Sequence, residues 1–439
     1  MNRLFQRMIL AMLFVCAFGK INAQSKENIL HQLNDLLINT VMDDLFTPPI
    51  TSRIYTYPNI AFYECIRFDD PSMQPLSGKL NGLSRLPSPE KGNNNFISAC
   101  VAFSFVAQNL VGSEYKIEEW RGWFADSIQN TVDPAVYKSA YDHGKRIADS
   151  IIAWSKKDNY LRSRGMTRFT ASDKPGTWQP TPNDYAPGLE PHWNTLRPMI
   201  MRSCSQFSPA EKLKYNPSKQ SLFYKNVIEV YNISKKLDSS QRNIALYWDD
   251  NPNISVIEGH LTYFIHKISP GGHWVKITGQ ACKQKNISLV KTAQVYALTT
   301  IAIYEAFIAC WDEKYKTNLI RPITVINNHI DADWKPLIQT PPFPEFTSGH
   351  SVTSNAAAAV LTSLLGDNFS FTDETEILFG HKSRTFTSFY SAARESSMSR
   401  VYGGIHYPET ARISILQGKQ IGGYVIQTLF KTATVKPKA

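Results

Sequence analysis

Pro341-Pro-Phe-Pro-Glu-Phe-Thr-Ser348-Gly349-His350 runs straight into a stretch rich in alanine, Ala356 to Leu365, which ends at Gly366. That spacing predicts a helix over 350–365, stopped by the glycine. A helix opened by Ser-Gly-His aims backbone N–H groups and the positive end of its dipole at whatever precedes it, which makes an anion site. Gly349 lets an anion approach the backbone closely, Ser348 adds a hydroxyl donor, and His350 offers a proton near neutral pH. Taken alone, the same residues also suit an ordinary helix cap with a surface histidine.

Working outward, helical spacing dominates. Residues 28–45 place Ile29, Leu33, Leu36, Leu37 and Val41 on one face, 96–110 is nearly continuous apolar helix material, and 135–154 repeats the three-and-four pattern. Further helices are expected over 222–235, 289–310, 373–394 and 405–429, while 158–217, rich in Pro, Asn, Asp and Ser, reads as loops. Strand-like alternation is scarce. The fold class is therefore all-α: helical bundles in a single large mature domain, with an N-terminal helical region with long loops (24–285) around a C-terminal bundle (286–432) that carries the site.

Two further segments bear on the Ser-Gly-His helix. Lys314-Tyr-Lys-Thr-Asn-Leu-Ile-Arg321-Pro322 supplies a point charge and a two-pronged donor that together can grip a tetrahedral anion. Ser399-Arg400-Val-Tyr-Gly-Gly-Ile-His406 adds a third cation and an imidazole nitrogen able to act as nucleophile or ligand. Each is ambiguous by itself. Together, over residues 311 to 410, they resemble the signature of the type 2 phosphatidic acid phosphatase and vanadium haloperoxidase superfamily: Lys-x6-Arg-Pro, Pro-Ser-Gly-His and Ser-Arg-x5-His-x3-Asp.

Two positions depart from that signature. Thr347 replaces the usual proline before the serine, where no side-chain chemistry is assigned. Thr410 stands where the family has an aspartate that steadies the second histidine; Glu409 or a backbone carbonyl is the expected substitute.

The resemblance implies a cofactor or substrate cage of Lys314, Arg321, Ser348, Gly349, His350, Arg400 and His406, and one of two chemistries. As a vanadate-dependent haloperoxidase, the chain would hold vanadate with His406 as the vanadium ligand, use His350 as acid and base, and oxidise a halide, iodide or bromide, with hydrogen peroxide. As an exported acid phosphatase it would form a phosphohistidine at His406 while His350 protonates the leaving oxygen. A non-catalytic phosphate- or vanadate-binding protein is the third reading. The Phe343 segment and Trp311 look closer to soluble haloperoxidases, where the position of Phe343 helps shape the halide pocket. Tyr247-Trp-Asp-Asp-Asn-Pro and Gly272-His273-Trp274 extend the likeness; Tyr247, Trp248, Tyr263 and His273 are candidates for that pocket, although core packing is the commoner role for such residues.

Other residues are set aside. His192 to Pro198 repeats an Arg-Pro pair without the lysine, Lys316 has the wrong spacing to Arg321, and His260, His266 and His273 lack a thiolate or carboxylate pattern for zinc. The formal charge is +10, or +7 once Arg3, Arg7 and Lys20 of a leader are removed. That modest excess suits anionic ligands and, without a dense basic run, no nucleic acid. Residues 1–23 read as a signal peptide, which makes the protein exported, periplasmic or secreted. The later apolar stretches are too interrupted to suggest a membrane span. Cys65, Cys100, Cys204, Cys282 and Cys310 follow no metal or redox spacing and are expected to be mainly buried thiols. The sequence leaves the oligomeric state open.

Overall fold

The computed structural model describes residues 25–128, 130–252 and 254–430. The signal peptide expected over 1–23 lies outside them. Fourteen helices and four short strands follow in order: α1 (Lys26–Asp43), α2 (Pro48–Ile66), α3 (Asn95–Gln108), α4 (Glu114–Ile128), α5 (Pro134–Ser155), α6 (Tyr160–Arg164), α7 (Leu222–Lys235), α8 (Ser239–Tyr247), the hairpin β1 (Ile254–Glu258) and β2 (Leu261–Ile265), α9 (Pro270–Lys285), α10 (Leu289–Thr317), α11 (Pro322–His329), α12 (Gly349–Leu365), β3 (Phe371–Asp373), β4 (Arg384–Phe386), α13 (Phe389–Tyr402) and α14 (Pro408–Val425). The architecture is all-α with two minor antiparallel ribbons.

Local chemistry sets the helix starts. Pro48, Pro134, Pro270, Pro322 and Pro408 open five helices, where a missing N–H costs nothing. Ser25, Asp133, Ser221 and Ser269 cap four with side-chain oxygens. One apolar cluster runs from Ile29 in α1 to Leu429, so the N- and C-terminal regions share a core. At its centre lies α10, packed on α2, α9 and α12. Contrary to the sequence expectation, α10 is long and apolar enough to cross a membrane by composition, yet 94% of that window is buried inside the protein.

The site is built where α12 meets α14. Gly418 and Gly422 of α14 lie against the Val352 and Ala356 carbonyls of α12, so close that a Cβ on either would fall 2.3 Å from oxygen. This contact sets Ser348, the cap of α12, against α14: its amide donates to Ser414 Oγ at 2.9 Å.

The segment expected as one helix over 373–394 is instead β3, a 3-10 turn at Thr375–Phe379, β4 and the start of α13. Gly380, at φ 84, ends the turn in the left-handed region. Phe371 pairs with Phe386 and Thr372 with Thr385 across the ribbon, a local alternation too short to stand out beside helix formers. All five cysteines among the described residues are free, and four are buried.

Candidate active site

The seven candidate residues come from five chain segments, and Gly349, His350, Arg400 and His406 line one cavity. Lys314 occupies the last turn of α10, Arg321 is the N-cap of α11, and Ser348, Gly349 and His350 open α12. Arg400 sits in the last turn of α13, and His406 in the turn before α14. The wall includes Trp311, Phe343, Gly349, His350, Arg400 and His406. Lys314, Arg321 and Ser348 are fully buried outside that wall. Its volume is about 40 Å³, roughly three times what one ordered water requires.

The partners of His406 define its tautomer. Nδ1 lies 2.8 Å from Glu345 Oε1, and Nε2 lies 3.2 Å from Arg321 Nη1. A guanidinium only donates, so Nε2 presents its lone pair while Nδ1 carries the hydrogen. Burial, then the charges of Arg321, Lys314 and Arg400, hold this imidazole well below its ordinary range. It is a neutral histidine at physiological pH, with its Nε2 lone pair turned to Arg321.

Glu345 therefore fills the place of the family's aspartate, and the two expected substitutes are corrected. Its carboxylate also accepts the Tyr407 amide at 3.0 Å and Thr410 Oγ1 at 2.9 Å. Glu409 is instead paired with Arg412. Burial pushes Glu345 up to about 7, opposed by Arg321 and the Tyr407 amide. The three donors and the nearby cations favour the carboxylate, but burial outweighs them. Thr347 is also more than a neutral replacement: its Oγ1 donates to Gln417 Oε1 at 2.9 Å on α14.

The cations differ in how their donors are engaged. Lys314 Nζ donates to the carbonyls of Pro344, Glu345 and Thr347, so all three of its hydrogens hold the 344–347 loop. Arg321 binds the Phe343 and Ile405 carbonyls but keeps Nη2 without a hydrogen-bond partner. Arg400 donates to the Trp248 carbonyl and leaves Nε unpartnered. Burial pulls Lys314 down to about 7 and Arg321 to about 10. Burial and Arg400 lower His350 to about 4; its Nε2 has no hydrogen-bond partner and faces Asp250 Oδ2 at 3.6 Å. Buried donors without partners are costly unless a ligand meets them, and Arg321 Nη2 and Arg400 Nε are two such donors.

Trp311 and Phe343 meet with ring centroids 5.0 Å apart. Phe343 also lies beneath Lys314 Nζ at 4.8 Å and Arg321 at 5.1 Å. Among the other pocket candidates, Tyr247, Trp248 and His273 are packed together in the core beside Asp250, and Tyr263 is exposed on β2. His260 and His266 are exposed on the hairpin. Lys316 pairs with Asp312, and Arg197 binds the Trp154 carbonyl and Tyr57.

The chain is 41% identical to a solved structure described as the first bacterial vanadium-dependent iodoperoxidase, covering 92% of this chain and 96% of that one with a TM-score of 0.87. The chain belongs to the vanadium haloperoxidase family. A family model for the VCPO second helical-bundle domain matches residues 294–434. Holo- and apo-type bacterial vanadium-dependent chloroperoxidases share the fold, at 16% and 15% identity and a TM-score of 0.64 each; both alignments cover 88% of this chain, and 93% and 95% of the respective chloroperoxidases. No curated protein sequence matches. All seven cage residues lie inside the matched haloperoxidase segment, whereas Asp250 and His273 precede it. The signature motifs include neither Asp250 nor Glu345. Glu345 stands three residues before Ser348 in the same segment, whereas only the fold brings Asp250, just past α8, to His350.

Proposed function

We propose that the protein is a vanadate-dependent haloperoxidase that oxidises iodide, and bromide less readily, with hydrogen peroxide. The observation that carries this reading is that His406 Nε2 lies against Arg321, whose Nη2 has no partner, at a cavity walled by His406, His350 and Arg400, whose Nε is also unpartnered. Such a set suits a tetrahedral oxyanion that also accepts a nitrogen ligand, which is the chemistry of vanadate. The iodoperoxidase relative and the ease of iodide oxidation favour iodide.

His406 would hold vanadium through Nε2, and Arg321, Arg400, Ser348 and the first N–H groups of α12 would hold the oxygens. When bound, vanadate supplies activation of peroxide toward halide, which leaves as hypohalous acid. Arg321 stays charged at working pH and supplies fixed positive potential. His350, neutral in the anion-free site, accepts a proton from incoming peroxide and returns one as the product leaves. Lys314 fixes the loop bearing Phe343 and Glu345 through its three carbonyl contacts. Trp311 and Phe343 give the cavity an apolar wall against which a large, weakly hydrated halide can rest.

The test is purified protein reconstituted with vanadate and supplied with peroxide and iodide, bromide or chloride, beside a chromogenic phosphomonoester without vanadate. The expected order of kcat/KM is iodide, then bromide, with chloride inert. Rapid ester hydrolysis with no halide oxidation at any pH would assign a phosphatase, and oxyanion binding with neither activity a binding protein. The leader makes the enzyme exported; a mature N-terminus near Gln24, read by mass spectrometry of secreted material, checks that assignment.

A further inference from the structure

The Tyr247-Trp-Asp-Asp and Gly272-His273-Trp274 segments supply no cage donor, yet the fold sets them behind His350. His273, in the first turn of α9, is fully buried. Its Nδ1 lies 2.8 Å from Asp250 Oδ1 and its Nε2 2.7 Å from Asp373 Oδ2. A carboxylate only accepts, so with both acids ionised both contacts are hydrogen bonds when both ring nitrogens carry hydrogen. The ring also lies parallel to Trp248, with centroids 4.4 Å apart, as suits a cation over an aromatic face. The second oxygen of Asp250 faces His350.

The surroundings supply both signs of charge. Asp249 and Asp250 follow α8, Asp373 ends β3, and Glu376 lies 3.8 Å from His273 Nδ1 on the 3-10 turn. Lys267 precedes α9 and pairs with Asp249, while Arg400 comes from α13. Burial opposes charge on His273, but Asp250 and Asp373 overcome it. With His273 neutral, two buried carboxylates would stand beside a cavity that must accept an anion. With it charged, the trio carries a single negative charge.

We propose that His273 is a charge-balancing positioning residue: as an imidazolium between Asp250 and Asp373, it fixes Asp250 behind His350 and offsets carboxylate charge that would otherwise repel an oxyanion from the cage. The inference rests on the oxyanion reading of that cage.

The test compares wild type with His273→Gln, Asp373→Asn and the double variant in the full-length protein. Phosphate and vanadate dissociation constants are measured by calorimetry, thermal melts verify folding, and 15N-histidine spectra are taken without anion. Wild type is expected to show one histidine with both nitrogens protonated at pH 8, a signal absent in His273→Gln. His273→Gln should weaken both anions about 10- to 100-fold. Asp373→Asn, which removes a negative charge, should not weaken them, and the double variant should recover most of the loss. A neutral His273, an unchanged affinity in His273→Gln, or a folded double variant no better than the single would overturn the proposal. Wild type that binds neither anion would overturn the cage reading instead.

Discussion

Glu345 receives hydrogen bonds from His406, the Tyr407 amide and Thr410, and so holds the imidazole in the tautomer that leaves Nε2 without a hydrogen. Glu345→Gln keeps the size but lowers the pull on Nδ1–H; vanadium retained after dialysis should fall about 10- to 100-fold. Thr410→Asp would set a second buried carboxylate against Glu345 Oε2. It should lower the melting temperature without tightening vanadate binding, and tighter binding would show that Glu345 is not the working partner. His350→Ala should retain vanadate but lose about 10²- to 10⁴-fold in kcat, since it removes an acid-base group rather than a ligand. At this scale the seven candidate positions were legible because their spacing is local. Glu345 was hidden by the expectation that the carboxylate follows the histidine, when the fold supplies it from 61 residues earlier.

Helix α12 was legible from its cap, its alanines and its glycine stop, and α14 nearly so. Helix α2 was not, because it is buried from Pro49 to Ile66 and shows no polar stripe. The closeness of α12 and α14 is what places Ser348 beside Ser414, and it depends on Gly418 and Gly422. Gly422→Leu should force the helices apart, with a stability loss of about 1–3 kcal/mol by denaturant titration and weaker vanadate retention. Full stability in that variant would mean the helices have room that the 2.3 Å approach denies.

Across the whole molecule, buried titratable groups act on stability in opposite directions. Burial holds His31 at about 3 and His143 and His350 at about 4, against an ordinary 6.5. Between those limits the unfolded chain takes up protons that the folded one refuses, so stability falls as pH drops. Burial raises Glu305 and Glu345 to about 7 and Glu376 to about 8, from 4.5. Their contribution is present below 4.5 and fades as pH rises through those values. Burial also holds His406 well below its ordinary range, so four histidines oppose three acids: between pH 4.5 and 6.5 the melting temperature should fall only gently as pH drops, and below 4.5, where the histidines act alone, it should fall faster. A steep rise from 4.5 to 6.5 would show that the buried acids do not hold their protons.

The shared core from α1 to the end of α14 gives the cage a rigid frame, and the central claim is that this frame holds vanadate for peroxide chemistry. The most direct measurement is iodide oxidation by the metal-free protein titrated with vanadate at fixed peroxide, with phosphate as competitor and His406→Ala alongside. The account predicts activity that saturates with vanadate, falls with added phosphate and is absent in His406→Ala. Oxidation independent of vanadate, or undiminished in His406→Ala, would contradict it.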